Sequence, residues 1–155
     1  MMGACIRGFA TSLLVIIVTG CGSSTAPSQN PLNLIGTWSG FVGAGSGGGR
    51  ALRVTWTASQ DGSTVGGPAT LLTSPAVTNI TVAGTLTGSL AGNQLSLRFT
   101  GSPVPGSASC VASGTGSATV SDGSAMSGSL DVTFASCESL DLQPPTDHQL
   151  TLTRQ

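Results

Sequence analysis

The sequence predicts an all-β domain, a single eight-stranded antiparallel up-and-down barrel. Apolar and Ser/Thr residues alternate with a period of two in eight segments from Leu34 onward, which is typical of half-buried strands. Short turns rich in Gly, Asp and Asn separate alternate segments. Good helix formers are scarce, since Lys is absent and Glu138 is the single glutamate. A two-sheet β-sandwich is the alternative, because alternation alone does not distinguish the two architectures.

Composition supports this fold class and narrows the function. The chain has 155 residues, of which 7% are charged, against about a quarter in an average protein. The net charge of −1 gives no sign of nucleic-acid binding or of electrostatic attraction to a membrane surface. Disorder is disfavoured because the apolar residues recur regularly.

Each predicted strand has one apolar face and one Ser/Thr face. In the first, Leu34, Gly36 and Trp38 share a parity, with Thr37 and Ser39 opposite. The segments span 34–42, 52–59, 65–71, 80–87, 95–100, 110–120, 126–133 and 149–154. A single layer of this kind must bury its apolar face against itself, and eight strands suffice to close a barrel. A membrane-spanning barrel would carry aromatic girdles, but aromatic residues make up 4% of this chain and Tyr is absent.

The connections between strands alternate between short and long. Residues 59–63, 91–93 and 121–123 read as short hairpin turns, whereas 43–49, 73–76, 102–107 and 135–147 read as longer loops. In an up-and-down order the short turns share one end of the barrel and the loops share the other. The sequence therefore predicts a closed end and a mouth framed by loops, where binding sites usually lie.

The N-terminus resembles a bacterial lipoprotein signal. After Arg7, an apolar run from Phe9 to Val18 leads into Val18-Thr19-Gly20-Cys21, which resembles a lipobox. Residues 1–20 are expected to be a signal peptide, Cys21 the lipidated residue, 21–33 a flexible tether with two prolines and 34–155 the barrel domain. The alternative is an ordinary signal peptide with a coincidental cysteine.

A lipid anchor would place the protein in the bacterial cell envelope. Two or three acyl chains hold a protein stably, since each buried CH₂ contributes about 0.8 kcal/mol. By resemblance to lipoprotein sorting rules, Gly22 in place of aspartate favours the outer membrane, with the barrel facing the periplasm.

The barrel itself resembles the lipocalin and avidin-type calycin family. The likeness is carried by a Gly-x-Trp on the first strand, Gly36 and Trp38, and by a late arginine, Arg154. It implies that the tryptophan lies at the closed end with the arginine packed across it, where a cation–π attraction contributes about 0.5–2 kcal/mol. A C-terminal arginine frayed into water is the alternative.

The resemblance covers most of 34–154 and does not extend to a ligand. A lipocalin Thr-Asp-Tyr box is missing, because the chain has no tyrosine, and biotin-contacting residues of avidin are not recognisable. The nearer likeness is to small, Gly/Thr-rich, lipocalin-like lipoproteins of environmental bacteria.

Two cysteines of the exported part, Cys110 and Cys137, are expected to form a disulfide, as pairs outside the cytoplasm usually do. Cys110 lies 12 residues before Asp122 and Cys137 lies 14 after Gly123, so they meet near the mouth if a bulge absorbs the offset. Closing this loop would contribute about 3.5 kcal/mol. Metal binding is the less favoured alternative.

No catalytic, metal or cofactor motif is recognised. His148 is the single histidine and is expected to be a solvated loop residue. The Gly-x-Gly-x-x-Gly of residues 43–48 precedes a strand instead of the helix that phosphate binding needs. Glu138 and Asp141 form the one close acidic pair, in a loop. An enzyme, a metal site and a cofactor are therefore not expected.

Three hypotheses of function remain. In the first, the barrel binds a small apolar ligand; the candidate lining residues are Trp56, Leu71, Val82, Leu97, Phe99, Met126 and Leu130. Inward glycines and alanines could leave room for it, or could let the strands coil around a filled core in which these residues are ordinary packing. In the second, the barrel is a structural or assembly module that docks another envelope protein. A hydrolase-like enzyme, or an inhibitor of one, is the third and the least favoured.

Overall fold

The computed structural model describes residues 32–43, 51–73, 80–105, 110–135 and 148–155, which fold entirely into strands and turns. The strands are β1 (Gly36–Val42), β2 (Leu52–Asp61), β3 (Thr64–Thr73), β4 (Thr81–Ala91), β5 (Gln94–Pro103), β6 (Val111–Ser121), β7 (Ala125–Ala135) and β8 (Gln149–Arg154). Within these segments, no helix is long and apolar enough to cross a membrane.

The eight strands form one closed antiparallel barrel in chain order. Each strand pairs with its neighbours along the chain, and β8 pairs with β1 from Leu150 opposite Val42 to Arg154 opposite Trp38. The predicted up-and-down barrel is confirmed. The sandwich alternative is wrong, because two stacked sheets would leave edge strands, whereas every strand here has two partners.

The strands are inclined to the barrel axis. Following the registers once around the barrel from Gly36, through Ala58 on β2 and onward, displaces the path along β1 by a shear of about ten residues. Such a shear corresponds to a strand tilt of about 40°. A strand of ten residues at about 3.3 Å each therefore gives a barrel roughly 25 Å tall.

Most strand boundaries differ from the sequence prediction by one to four residues, and two of these differences have a clear cause. β1 begins at Gly36 and not at Leu34, because Leu34 leaves the ladder and turns across the end of the barrel. β5 continues to Pro103, where a loop was predicted, because Gly101, Ser102 and Pro103 keep pairing with β4. Backbone pairing with a neighbouring strand thus overrides the local turn propensity of the Gly-Ser-Pro sequence.

The ladder between β2 and β3 is interrupted in its middle. Pairing runs from Leu52 to Trp56, and resumes at Ser59 opposite Gly66. Pro68 lies in the gap, where it has no backbone N–H to donate, while Gly67 adopts a φ of +153°. The register is the same on both sides of the interruption, and the barrel stays closed.

The three short turns lie together at one end, as predicted. Gly62 and Gly92 have φ values of 57° and 62°, and Asp122 and Gly123 have 50° and 66°. Positive φ at two successive turn residues matches the right-handed twist of the flanking strands, which explains the Asp-Gly pair. We call this the closed end. The opposite end, where the connections 44–50, 74–79, 106–109 and 136–147 arise, is the mouth end.

The apolar face of every strand points into the barrel. One cluster of buried residues fills it, with contributions from all eight strands and from Leu34, Ile80 and Cys110 beside them. The outward parity is mostly Ser and Thr, for example Ser96, Thr115 and Ser117. The predicted orientation of the two faces is therefore confirmed.

Candidate functional site

The seven residues predicted to line a ligand site all point into the barrel interior. Trp56, Leu71, Val82, Leu97, Phe99, Met126 and Leu130 have exposed fractions between 0 and 4%. An internal void large enough for a water molecule would leave part of its lining accessible. These side chains therefore pack against one another and leave almost no room in this conformation.

Inward-facing glycines explain how the barrel can be so tightly filled. A Cβ atom on Gly40 of β1 would lie 1.8 Å from the carbonyl oxygen of Thr151 on β8, a distance that no side chain can occupy. Similar approaches to a neighbouring strand, of 2.0–2.1 Å, occur at Gly67, Gly84, Gly88, Gly116 and Gly128. The glycines thus let the strands bend closely around the core, as at barrel corners. Of the two possibilities that the sequence left open, this geometry agrees with coiling around a filled interior.

Trp38 and Trp56 are opposite each other on β1 and β2, and both are fully buried. Trp38 Nε1 donates a hydrogen bond of 2.8 Å to the carbonyl oxygen of Leu34. Trp56 Nε1 has no hydrogen-bond partner. A buried unpaired N–H costs about 1–3 kcal/mol, so Trp56 is the one tryptophan whose polar atom is available to another group.

Gly36, Trp38 and Arg154 meet at the closed end. Arg154 lies opposite Trp38 in the β1–β8 ladder. A Cβ atom on Gly36 would lie 3.1 Å from Arg154 Nε, so the glycine gives the guanidinium its space. The sequence attributed to Arg154 an attraction to the indole, but the hydrogen bonds of its guanidinium are to backbone. Its Nη1 donates to the carbonyl oxygen of Asn33 at 3.4 Å, and its Nη2 donates to that of Ile35.

Residues Leu32–Ile35, which we call the strap, close this end of the barrel. Gln60 at the end of β2 holds it: Leu34 N donates to Gln60 Oε1 at 2.8 Å, and Gln60 Nε2 donates to the carbonyl oxygen of Leu32 at 3.0 Å. Asn33 Oδ1 accepts from Ile35 N, forming a local turn. Leu32 and Asn33 were predicted to belong to the tether.

Gln60 was missed by the sequence analysis. Nothing in a polar residue beside a turn indicates a partner 26 residues earlier, so only the fold reveals its role. Asn33 does carry a signal, because Asn often bonds its own backbone two residues on, and this could have marked the end of the tether.

Cys110 lies at the mouth end, directly before β6, and is fully buried. The β6–β7 ladder pairs residues without a break from Val111 opposite Ala135 to Ser121 opposite Ala125. The bulge expected to bring the cysteines together is therefore not found in the described ladder. Cys137 lies outside the described residues, as do Cys21, Glu138, Asp141 and positions 44–48 of the glycine-rich stretch.

His148 lies on the approach to β8 and close to Asp131 on the outer face of β7. Its Nδ1 is 3.6 Å from Asp131 Oδ1, which is too long for a hydrogen bond, and Nδ1 has no hydrogen-bond partner. The two side chains are 42% and 69% exposed. A weak, exposed pair of this kind lacks the close hydrogen bond and the burial that a catalytic dyad needs.

Two shallow depressions lie on the outside of the barrel. One, of about 180 Å³, includes Arg98, Thr115 and Asp131. The other, of about 430 Å³, includes Gly84, Gly101 and Val111. Both arise where outward Ser and Thr residues flank glycines or small side chains, and the inward-facing Phe99 and Ala112 form part of their lining.

Large apolar side chains are exposed at both ends. Phe41 on β1 and Val111 on β6 are 47% and 45% exposed on the outer face near the mouth end, while Ile35 of the strap is exposed at the closed end. Phe41 has Arg53 and Thr151 as its cross-strand neighbours. These residues are apolar surface that another molecule could cover.

Across the described segments, no group of three or more His, Cys, Asp or Glu residues is placed to hold a metal ion. Comparison of the chain with protein-family models, with curated proteins and with solved structures found no match.

Proposed function

We propose that this chain is a lipid-anchored protein of the bacterial cell envelope, in the outer membrane and facing the periplasm. Its barrel is a non-catalytic structural or assembly module that docks another envelope component. The anchor is supported by the apolar run that ends in Val18-Thr19-Gly20-Cys21 and by the polar stretch after it. Acylation of Cys21 would hold the barrel stably at a bilayer.

The filled interior is the observation that carries the choice of a docking module over a ligand carrier. Carrier sites are cavities of about 300 Å³ or more with a few polar groups. The interior candidates of this barrel are almost completely buried by one another. A filled, glycine-curved barrel gives a rigid support for an outer surface. Among the described residues, Phe41 and Val111 are large apolar side chains exposed near its mouth end.

The second candidate function, binding of a small apolar ligand, is favoured by one observation. Trp56 Nε1 is a buried donor without a partner, and a ligand with one acceptor atom would satisfy it. Binding would require the interior side chains to move apart, because they now fill the space around Trp56.

Membership of the lipocalin-like barrels is part of the proposal. It is supported by the eight-stranded closed barrel, by Gly36 and Trp38 on the first strand and by the position of Arg154 opposite Trp38. The absence of catalysis is supported by the exposure and separation of His148 and Asp131, and no cofactor is proposed.

A disulfide between Cys110 and Cys137 is also proposed. Val111 pairs with Ala135, so Cys110 directly precedes one end of the β6–β7 ladder and Cys137 follows the same end by two residues. Cys110 is fully buried at this end of the ladder. A bridge here would tie the longest connection, 136–147, to the barrel.

Native mass spectrometry of the protein from its own cells tests these proposals together. We expect acyl chains on Cys21, a mass lower by two hydrogens for the disulfide, and no retained small molecule. A ligand retained in stoichiometric amount, and lost in Trp56→Phe, would replace the docking proposal by the second candidate. An unacylated N-terminus would exclude the anchor.

Docking is tested by photo-crosslinking in cells from position 41, with position 87 as the matched control. Thr87 is exposed on β4 at the closed half of the barrel, away from Phe41. We expect one crosslinked species of defined mass from position 41 and none from position 87. Equal crosslinking from both positions, or none from position 41, would contradict a docking surface that contains Phe41.

A further inference from the structure

The closed end is where the proposed lipid tether joins the folded domain. We propose that the barrel stands on the bilayer by this end, so that the mouth end and its four long connections face away from the anchoring membrane. The inference rests on the proposed acylation of Cys21 and adds to it an orientation and a lipid-facing surface.

The attachment point is fixed by the strap. Leu34 is fully buried, its amide donates to Gln60, and the carbonyl oxygen of Leu32 accepts from the same side chain. Arg154 binds two further strap carbonyls, those of Asn33 and Ile35. The described chain therefore enters the fold at the closed end.

The length of the tether then sets the orientation. The eleven residue-to-residue steps from Cys21 to Leu32 span at most about 40 Å when fully extended. The mouth end could touch the bilayer only if the tether ran along the whole barrel, which is roughly 25 Å tall. Attachment through Leu32 thus places the closed end nearer to the lipid than the mouth end.

The charges at the closed end do not draw it to the membrane, so the orientation depends on the position of the tether. The exposed acidic residues Asp61 and Asp122 flank two of the short turns, so an anionic bilayer offers the closed end no net attraction. The cation at this end, Arg154, is engaged with strap carbonyls. The orientation is therefore expected to be the same on neutral and on anionic membranes.

The orientation also assigns a direction to the exposed apolar residues. Phe41 and Val111 lie near the mouth end, so they face the aqueous compartment and not the bilayer that carries the anchor. A partner that covers them approaches from the periplasmic side.

Energy transfer to the membrane surface tests the orientation. The acylated full-length chain is placed in vesicles of phosphatidylethanolamine and phosphatidylglycerol that carry a short-range acceptor on their headgroups. The donor is attached through a non-natural amino acid at position 93 or at position 102. Asn93 and Ser102 are both exposed; Asn93 lies in the closed-end turn directly before β5, and Ser102 lies near the mouth end of β5.

We expect transfer from position 93 to exceed that from position 102 about twofold, since the two positions differ by roughly 20–25 Å in height. The ranking is expected to persist in phosphatidylcholine vesicles. Equal transfer, or stronger transfer from position 102, overturns the orientation while leaving the anchor intact. Two other results would contradict the anchor itself: flotation of Cys21→Ala with vesicles to the same extent as the unchanged chain, and no acyl mass on the unchanged chain. The proposed orientation, which rests on the anchor, would then be wrong as well.

Discussion

Trp38 on β1 lies directly opposite Arg154 on β8, and this pair marks the end of the seam that closes the barrel. Both side chains bond the strap that precedes β1: the indole donates to Leu34, and the guanidinium to Asn33 and Ile35. The first and last strands are thus joined by their ladder and also by a segment that both hold. The two residues at the end of the β1–β8 ladder therefore also hold the strap that covers this end of the barrel.

Arg154→Ala is expected to lower the free energy of unfolding by about 1 kcal/mol, because two charge-assisted hydrogen bonds to strap carbonyls are lost in a solvent-exposed setting. Urea denaturation measures the change. Arg98→Ala is the matched control, since Arg98 is an exposed arginine in the middle of β5, and it should stay within about 0.5 kcal/mol of the unchanged protein. Equal effects of the two variants would argue against a role of Arg154 at the seam.

Gln60→Ala should release the strap. Leu34 N and the carbonyl oxygen of Leu32 lose their partner together, at a cost of about 1–2 kcal/mol. Hydrogen exchange should show the amide of Leu34 losing protection before the strands do. Gln94→Ala is the control, because the exposed Gln94 bonds only the Thr119 side chain in its described contacts. If the Leu34 amide is as well protected in Gln60→Ala as in the unchanged protein, Gln60 does not hold the strap in place.

The barrel could be predicted because its signals are local and repeated. Alternation sets which face of each strand is buried, and Asp122-Gly123 sets a hairpin. The attachment of the strap to Gln60 could not be predicted, because it depends on a contact between Leu34 and Gln60 that no local pattern encodes. The sequence could not decide whether the interior is filled, for a related reason. A glycine such as Gly40 can either leave space inside the barrel or let the strand bend close to its neighbour, and the choice depends on the distance to β8.

Gly40→Ala is expected to destabilise the barrel by about 2–3 kcal/mol. The added methyl group would collide with the carbonyl oxygen of Thr151, so the β1–β8 seam must shift. Gly66→Ala is the matched control on β3, since its added carbon would meet nothing closer than 3.6 Å, from Thr87 Cγ2. That variant should be neutral or slightly stabilising, because it reduces the entropy of the unfolded chain. Thermal unfolding of the pair decides the matter, and a Gly40→Ala protein as stable as Gly66→Ala would show that the seam is looser than its geometry indicates.

Trp38 and Trp56 form an internal comparison, since both are fully buried and opposite each other, and only Trp38 has a hydrogen-bond partner. Replacing either by Phe leaves a cavity of similar size. Trp38→Phe also leaves the carbonyl oxygen of Leu34 unpaired, whereas Trp56→Phe removes a donor that was already unsatisfied. We therefore expect Trp38→Phe to be the more destabilising by about 1–2 kcal/mol in urea denaturation of the purified protein.

The same pair of variants connects stability to function. If a ligand or an ordered water occupies the donor of Trp56, Trp56→Phe should lose that bond and cost as much as Trp38→Phe. Adding or stripping the ligand would then change the stability of the unchanged protein and leave that of Trp56→Phe alone. A smaller loss of unfolding free energy in Trp56→Phe than in Trp38→Phe, the same with and without the ligand, would instead indicate that the interior binds no ligand. The binding surface would then lie on the outside of the barrel.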